Sequence, residues 1–600
     1  MASSDPTFVG QVASVVGGTV RVRLRRDMPT TLVLVEGESY RVGQIGGFFR
    51  MPIGYTQLYA VCSQVGADAV PGAVAEAMPV LERDQAMDDS LAGYRWMTVV
   101  LFGESVGKTF ERGVGQYPTV GDEVHFVTKS DLEIIYSSST DNALKVGTIA
   151  SSNGIPAQLD LNKLVSRHSA IVGSTGAGKS NLVSVLLEAL SSEQFPSARV
   201  LVIDPHGEYS AVARDKSKVF RINPAEGESR LIVPFWALPF DELLAITFGG
   251  MSPSNEAAVR DRVQELKRAA ALKLKKVPLI ESITADSPIP FSLHQLWFEL
   301  DDFERQTFRG TGTARVATKI VTPGDASTLS SNVYEPYRPG SQEPYKNPSP
   351  RGLSKQLELT RSRLTDSRYS FLFNPSAEYT PTLEGQVQSD LDGLIASWIG
   401  HESTLTLLDV SDIPSEVASD VVGLLVRIVY DSLFWAAGLA IGGRRQPLLI
   451  VLDEAHRFLP DGKDTSSHRI LTRVAKEGRK YGVGLMIVTQ RPSEIDGTVL
   501  SQCGTMISLR TTSPKDRERV SASFPDDLGS LVDLLPSLRT GEGLFVGEAM
   551  HVPSRVRIRH SSVPTQSGDP DTKVRWTQAV RPDPKLYSTA LRNWRNQRKD

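Results

Sequence analysis

The residues from Gly173 to Ser180 have the types and spacing needed to hold a polyphosphate. They fit the pattern G-x-x-x-x-G-K-[ST], in which glycines free the backbone so that successive N–H groups turn toward phosphate oxygens. Lys179 supplies a cation for the β- and γ-phosphates, and Ser180 supplies a hydroxyl for Mg²⁺. An apolar run ends at Val172, and a helix is predicted over 182–190, so a positive helix end also faces the phosphates. The segment therefore predicts a site for a nucleoside triphosphate.

Carboxylates end three of the predicted strands, at Asp204, Asp409 and Asp453. Hydrolysis at such a site needs one acid to help hold Mg²⁺ and a base to deprotonate water. Only Asp453 is followed at once by a second carboxylate, so we predict that Asp453 binds the metal and that Glu454 is the base. Gln490 ends the next strand, where an uncharged amide can sense the γ-phosphate or orient the water. The alternatives are a solvated strand end for the acids and a loop hydrogen bond for the amide.

The composition restricts the class of protein. A chain of 600 residues predicts two to four domains, and a formal net charge of −3 means that any nucleic-acid site is a local patch, a groove or an assembled channel. Only two cysteines occur, Cys62 and Cys503, which excludes a disulfide framework and a cysteine-built zinc site and favours the cytoplasm. Arg427 and Asp431 interrupt the most membrane-like segment, 421–443, so we expect a buried helix there and no membrane partner.

The distribution of strand and helix patterns predicts the domains. Short strands with glycine turns in residues 1–150 predict a small antiparallel β-barrel, with residues 145–150 as its last strand and exit. Residues 151–240 and 386–560 alternate strand and helix, which is typical of an α/β fold with a mainly parallel sheet. Residues 241–385 read as a mostly helical insertion containing a long loop at 322–350. Residues 561–600 form a basic extension, since 573–600 contains eight basic and two acidic residues.

Five motifs in this order resemble the HerA family of DNA translocases, in the FtsK/HerA branch of RecA-like P-loop ATPases. They are Gly173–Asn181 (GSTGAGKSN), Asp204–Tyr209 (DPHGEY), Leu452–Pro460 (LDEAHRFLP), Arg479–Leu485 (RKYGVGL) and Thr489–Ser493 (TQRPS). The likeness extends from about residue 8 to 560.

The resemblance implies a RecA-like core with a helical insertion, preceded by a HAS-barrel-like domain that helps to dock a partner. It implies ATP and Mg²⁺ as cofactors and a homohexameric ring that moves double-stranded DNA. It also implies a partner, either a NurA-like nuclease in DNA end processing or an effector such as a Sir2-like subunit in anti-phage defence.

The family's functional residues fall on matching positions. Arg479 sits where the family has an arginine that completes a neighbour's site, and Arg167 matches an arginine near the nucleotide. Which of the two acts in trans stays open, and a surface ion pair is the alternative for each. The candidate nucleotide-binding residues are Arg167, Gly173, Ser174, Thr175, Gly176, Ala177, Gly178, Lys179, Ser180 and Asn181. The candidate catalytic residues are Lys179, Asp453, Glu454, Gln490 and Arg479, with Ser180 and Asp453 as the Mg²⁺ ligands.

Two other functions stay open at this point. One is a conjugation or secretion ATPase of the same superfamily, which would fractionate with membranes. The other is a ring scaffold that binds ATP in order to hold an effector. Such a scaffold would hydrolyse ATP slowly, at a rate that does not depend on DNA.

Overall fold

The structure is a computed structural model. It describes residues 5–25, 33–35, 38–40, 43–68, 94–136, 143–150, 154–212, 214–338, 340, 342–524, 526–563, 572–577 and 583–596.

The first unit is a closed β-barrel, as the sequence predicts. Its strands are β1 (Phe8–Val16), β2 (Thr19–Leu24), β5 (Phe48–Ile53), β6 (Thr56–Asp68), β7 (Tyr94–Val106) and β9 (Glu123–Phe126), with β3 (Val33–Val35) and β4 (Glu38–Tyr40) as a separate hairpin and β8 (Thr109–Arg112) beside β7. The closed order is β1-β9-β5-β6-β7-β2, with antiparallel neighbours throughout. Alternate residues such as Val9, Val22 and Met97 fill the interior. Closure leaves these six strands without an open edge.

The barrel packs its side against the second unit. Phe48, Tyr59, Phe102 and Phe110 belong to the apolar core of the second unit rather than to the barrel interior. Helix α1 (Lys129–Tyr136) follows the last barrel strand. It buries Leu132 and Ile135 in the same core. One side of the barrel therefore joins the apolar core of the second unit, while the barrel interior forms a separate cluster.

The second unit contains a twelve-stranded sheet, the α/β core that the sequence predicts. Its strands are β10 (Ala143–Ile149), β11 (Pro156–Asp160), β12 (Ser169–Val172), β13 (Val200–Asp204), β14 (Ser217–Arg221), β15 (Ser229–Arg230), β21 (Leu405–Asp409), β22 (Leu448–Leu452), β23 (Val483–Thr489), β24 (Thr505–Leu509), β25 (Glu542–Gly547) and β26 (Ser554–Ile558). Their order is β11-β10-β26-β25-β24-β12-β23-β22-β13-β21-β14-β15, parallel from β24 to β15 and antiparallel from β11 to β24.

Strand β10 lies in this sheet and not in the barrel, where the sequence placed it. It pairs with β11 and, from Gly147 to Ile149, with β26. A Cβ at Gly147 would come 2.1 Å from the carbonyl oxygen of Arg557, so a side chain there would prevent this close pairing. The α/β unit therefore begins near residue 143.

Helices cover the sheet and build the insertion. The core helices are α2 (Leu161–Ser166), α3 (Lys179–Leu190), α9 (Leu391–Ile399), α10 (Ser415–Trp435), α11 (Ser466–Glu477), α12 (Gly497–Ser501) and α13 (Pro514–Ser521). The insertion has α4 (Phe240–Thr247), α5 (Pro253–Ala271), α6 (Leu293–Arg305), α7 (Ser354–Thr365) and α8 (Ser370–Phe373), and the extension has α14 (Thr572–Thr577) and α15 (Lys585–Asn596). Helix α10 contains most of the membrane-like segment and is largely buried. Over the described ranges, no helix has the length and apolarity to cross a membrane.

The predicted loop at 322–350 contains short strands. These are part of a set of five: β16 (Thr307–Arg309), β17 (Val316–Ala317), β18 (Ile320–Thr322), β19 (Val333–Tyr334) and β20 (Tyr345–Lys346). They pair as β17-β16-β20 and β18-β19. Strands of two or three residues are too short to show an alternating pattern, which is why the sequence did not reveal them.

Candidate nucleotide site and a separate basic cavity

The phosphate loop follows β12 at the carboxyl edge of the parallel sheet, between β23 and β24. The N–H of Ser174 donates to the carbonyl of Arg510 (2.9 Å), and the N–H of Gly541 donates to the carbonyl of Ala177 (3.1 Å). Gly178 has φ 104°, a value that side chains disfavour, and it caps α3. Neighbouring strands thus hold the loop open for a phosphate, with the N-terminus of α3 behind it.

Asp453 lies directly after β22 and is 4 % exposed. The hydroxyl of Tyr209 donates to its Oδ2 (3.2 Å) and also lies close to Ser180, so one hydroxyl is near both predicted metal ligands. Burial raises the pKa of Asp453 to about 7, and nearby carboxylates add to the rise. The carboxylate of Asp453 and the hydroxyl of Ser180 are oxygen ligands of the kind that Mg²⁺ prefers, so the two residues fit a Mg²⁺ site.

Glu454 has left-handed backbone angles, φ 45° and ψ 44°, which are uncommon for a residue other than glycine. Its Oε2 accepts a hydrogen bond from Nε2 of Gln490 (3.3 Å) and lies 3.1 Å from Nδ1 of His456. The hydroxyl of Thr175 donates to Oε1 of Gln490 (2.6 Å). One network therefore joins the predicted base, the predicted sensor and the phosphate loop.

Lys179 lies among these acids. Its Nζ donates to the carbonyl of Ser174 (3.3 Å). Burial lowers the pKa of Lys179, while the negative charges of Glu454 and Asp453 act in the opposite direction. The ammonium group is thus held next to the loop.

The turn after β13 positions Tyr209. The carboxylate of Asp204 accepts hydrogen bonds from the backbone N–H groups of His206 (3.1 Å), Gly207 (2.8 Å) and Tyr209 (3.0 Å). Asp204 therefore shapes the turn that brings Tyr209 to Asp453. Sequence reasoning did not assign a role to Tyr209. The feature that could have indicated one is a tyrosine at the end of an acidic turn, beside a phosphate loop.

The side-chain amide of Asn181, which we predict to bind nucleotide, makes its hydrogen bonds to the chain after β26. Its Nδ2 donates to the carbonyl of Arg559 (2.9 Å), and its Oδ1 accepts from the N–H of Ser561 (2.9 Å). The amide therefore holds the segment that follows β26.

The two predicted arginines lie together, away from the phosphate loop. Arg167 precedes β12 and Arg479 precedes β23, so both are at the amino edge of the parallel strands, whereas the loop is at the carboxyl edge. They line one cavity of about 660 Å³, whose lining contains no residue of the phosphate loop. Strand β12, four residues or roughly 13 Å long, lies between the arginines and the loop. The structure does not bring either arginine to the loop of its own chain.

The cavity is basic. Arg167 has a long ion pair with Glu548 (Nη1 to Oε1, 3.4 Å). Four further cations line the cavity and make no ion pair with any described residue: Arg444, Lys476, Arg479 and Lys480. Burial lowers the pKa of His168 in the cavity wall to about 4, so this ring is neutral at pH 7. The arrangement is suited to an anion.

Two family models match the chain. One describes the central domain of the helicase HerA and matches residues 144–429; the other describes a HerA-like C-terminal domain and matches residues 438–567. Together they cover more than half of the 600 residues. The chain belongs to the HerA helicase family. It is therefore a P-loop ATPase of the helicase type.

Curated HerA relatives span similar lengths. A DNA double-strand break repair helicase HerA from Pyrococcus furiosus is 26 % identical over 452 residues, covering 73 % of each chain. The protein of that name from Saccharolobus solfataricus is 27 % identical over 462 residues, covering 76 % of each chain. Among solved structures, VirB4 of Thermoanaerobacter pseudethanolicus matches 71 % of this chain and 98 % of its own, at 16 % identity and a TM-score of 0.45.

The HerA central-domain match begins at residue 144, inside β10. This agrees with the sheet, in which β10 belongs to the ATPase unit and the barrel precedes it.

Proposed function

We propose that this HerA-family chain binds ATP and Mg²⁺, hydrolyses the ATP, and moves duplex DNA as a homohexameric ring. The observation that carries the proposal is the separation of the two arginines from the phosphate loop. Because Arg167 and Arg479 lie at the opposite edge of their own sheet, a nucleotide that they contact belongs to a neighbouring subunit. An arginine supplied in this way neutralises charge on the transferring phosphoryl group and makes hydrolysis depend on subunit contact.

Each residue near the loop has a role in this proposal. The loop N–H groups and Lys179 bind the β- and γ-phosphates. Ser180 and Asp453 hold Mg²⁺, which supplies positive charge to the phosphate oxygens. Glu454 accepts the proton of the attacking water, and Gln490 contacts the γ-phosphate or that water.

The same proposal covers DNA and a second protein. Contacts to DNA phosphates, made by loops that repeat around a ring, are compatible with a protomer of net charge −3. The relatives from Pyrococcus furiosus and Saccharolobus solfataricus are named double-strand break repair helicases, which supports DNA as the substrate. The ring then works with a nuclease in end processing or with an effector in anti-phage defence, and identification of the co-purifying protein distinguishes these roles.

The base is tested by Glu454→Gln. We expect this variant to bind ATP with near wild-type affinity and to lose almost all hydrolysis, because the amide cannot accept the water proton. If Glu454→Gln hydrolysed ATP as fast as the wild type, Glu454 would not be the general base. ATP turnover by the unmodified protein should rise when duplex DNA is added. Slow ATP turnover that does not respond to DNA would instead indicate a ring scaffold and exclude the motor.

The arginine is tested by mixing inactive subunits. The Arg479→Ala subunit keeps an intact phosphate loop, and the Lys179→Ala subunit keeps Arg479. In a mixed ring, some interfaces therefore combine an intact phosphate loop with Arg479 of the neighbouring subunit. We expect partial recovery of ATP hydrolysis in mixtures and none in either variant alone. The matched control for Arg479→Ala is Lys480→Ala, which removes the neighbouring cation. Absence of recovery at every mixing ratio, in rings that assemble, would exclude Arg479 as the residue acting in trans.

A further inference from the structure

The two carboxylate oxygens of Glu454 have different surroundings. Oε2 contacts Nε2 of Gln490 at 3.3 Å and Nδ1 of His456 at 3.1 Å. Oε1 makes no hydrogen bond to any described residue. One oxygen is therefore anchored, and the other is available to a ligand or a water.

The backbone directs His456 back to this carboxylate. Glu454 is one of three non-glycine residues with positive φ in the described chain, and a short 3₁₀ turn, Ala455–Arg457, follows it. Such conformations are strained and are concentrated at functional sites. The left-handed residue followed by a tight turn places the ring at position 456 beside the side chain at position 454.

The imidazole of His456 is itself held in place. Its side chain is 14 % exposed, and Nδ1 lies 3.3 Å from the hydroxyl of Thr489 at the end of β23. That hydroxyl accepts a hydrogen bond from the N–H of Arg491 (3.0 Å). Nδ1 therefore contacts two groups: the hydroxyl of Thr489, which is its hydrogen-bond partner, and Oε2 of Glu454 at 3.1 Å.

We propose that His456 is a positioning residue for the general base: the contact of its Nδ1 and the hydrogen bond from the amide of Gln490 hold Oε2 of Glu454, so that Oε1 faces the attacking water. This inference rests on the proposed ATP hydrolysis. In that step the water oxygen bonds to the γ-phosphorus, the bond to the β–γ bridging oxygen breaks, and ADP leaves with the electron pair. The water proton passes to Oε1, and His456 keeps its own proton. A base oriented by a third group is a general arrangement for activating a nucleophile.

The test compares three variants of the full chain. His456→Leu removes the polar contact, whereas His456→Asn keeps a polar amide near the position of Nδ1. His560→Leu alters an exposed histidine outside this network and is the matched control. ATP turnover gives kcat and KM, and a fluorescent ATP analogue gives the nucleotide affinity.

We expect His456→Leu to lower kcat about 10- to 100-fold, the loss typical of one polar contact to a charged group, with KM and analogue affinity changed less than about threefold. His456→Asn should recover most of kcat, and His456→Leu should add no further loss in a Glu454→Gln background. Unchanged kcat in His456→Leu, or equal loss in His456→Asn, would overturn the inference. Substantial turnover by Glu454→Gln would instead overturn the proposed base, so the two failures are distinguishable.

Discussion

Glu188, on the solvent side of the phosphate-loop helix α3, binds the chain that leaves β26. Its Oε2 accepts from Nη1 of Arg559 (2.8 Å), and its Oε1 accepts from the hydroxyls of Ser561 (2.6 Å) and Ser562 (2.6 Å) and from the N–H of Ser562 (2.7 Å). Burial acts to raise the pKa of Glu188, but these hydrogen bonds outweigh it and lower the pKa to about 2. We call residues 559–562 and their contacts with α3 the C-terminal clamp.

The free energy by which Glu188 stabilises the C-terminal clamp follows from this pKa. A fall from the ordinary value of 4.5 to about 2 corresponds to at most about 3 kcal/mol of stabilisation by the ionised form. Glu188 itself is 12 % exposed, but Arg559 and Ser562 are exposed to solvent, so screening reduces this stabilisation to about 1–2 kcal/mol. Because the folded pKa lies below the unfolded one, this stabilisation is fully present above pH 4.5 and is lost as the pH falls toward 2.

Glu188→Gln removes the charge and keeps the shape. We expect hydrogen exchange at the amides of Ser561 and Ser562 to become about 10-fold faster at pH 7, the factor that roughly 1–2 kcal/mol represents. Mass spectrometry of the peptide covering the clamp measures this change. Glu193→Gln, an exposed acid just beyond α3, should leave the exchange unaltered. Equal protection in wild type and Glu188→Gln, or equal loss in the control, would refute the reasoning.

Three further predictions concern other parts of the chain. Gly207→Ala should lower the free energy of unfolding by about 1–3 kcal/mol more than Gly227→Ala in urea melts, because both have positive φ but only the Cβ at 207 would meet Oδ2 of Asp409, at 2.8 Å. Burial lowers the pKa of Lys267 to about 7, so the wild type should gain stability between pH 7 and 10.5, and Lys267→Met should not show this gain in thermal melts across that range. Tyr209→Phe should raise the Mg²⁺ concentration needed for nucleotide-analogue binding by about 2- to 10-fold, since it removes one hydrogen bond to the metal-binding aspartate.

The parts of the fold that depend on local patterns could be predicted from the sequence. The phosphate loop needs glycines at set positions, and α3 must follow it directly, so motif and structure agree there. Helices α5 and α6 lie in the region that the sequence predicts to be mostly helical, because serine caps and regular apolar spacing are local signals. Strand β10 was assigned to the wrong unit because its partner, β26, lies about 400 residues later in the chain and only tertiary pairing shows which sheet it joins.

The function of the two arginines depends on the same kind of non-local information. The resemblance to the HerA family placed both arginines near a nucleotide, but the order of strands around β12 decides which edge of the sheet carries them. Since parallel strands share a direction, residues before β12 and before β23 meet at one edge, and residues after them meet at the other. Glu454, Gln490 and the phosphate loop therefore converge on one side, and Arg167 and Arg479 converge on the opposite side. No single chain brings the two sets together, and this geometry is why the proposal requires a second subunit.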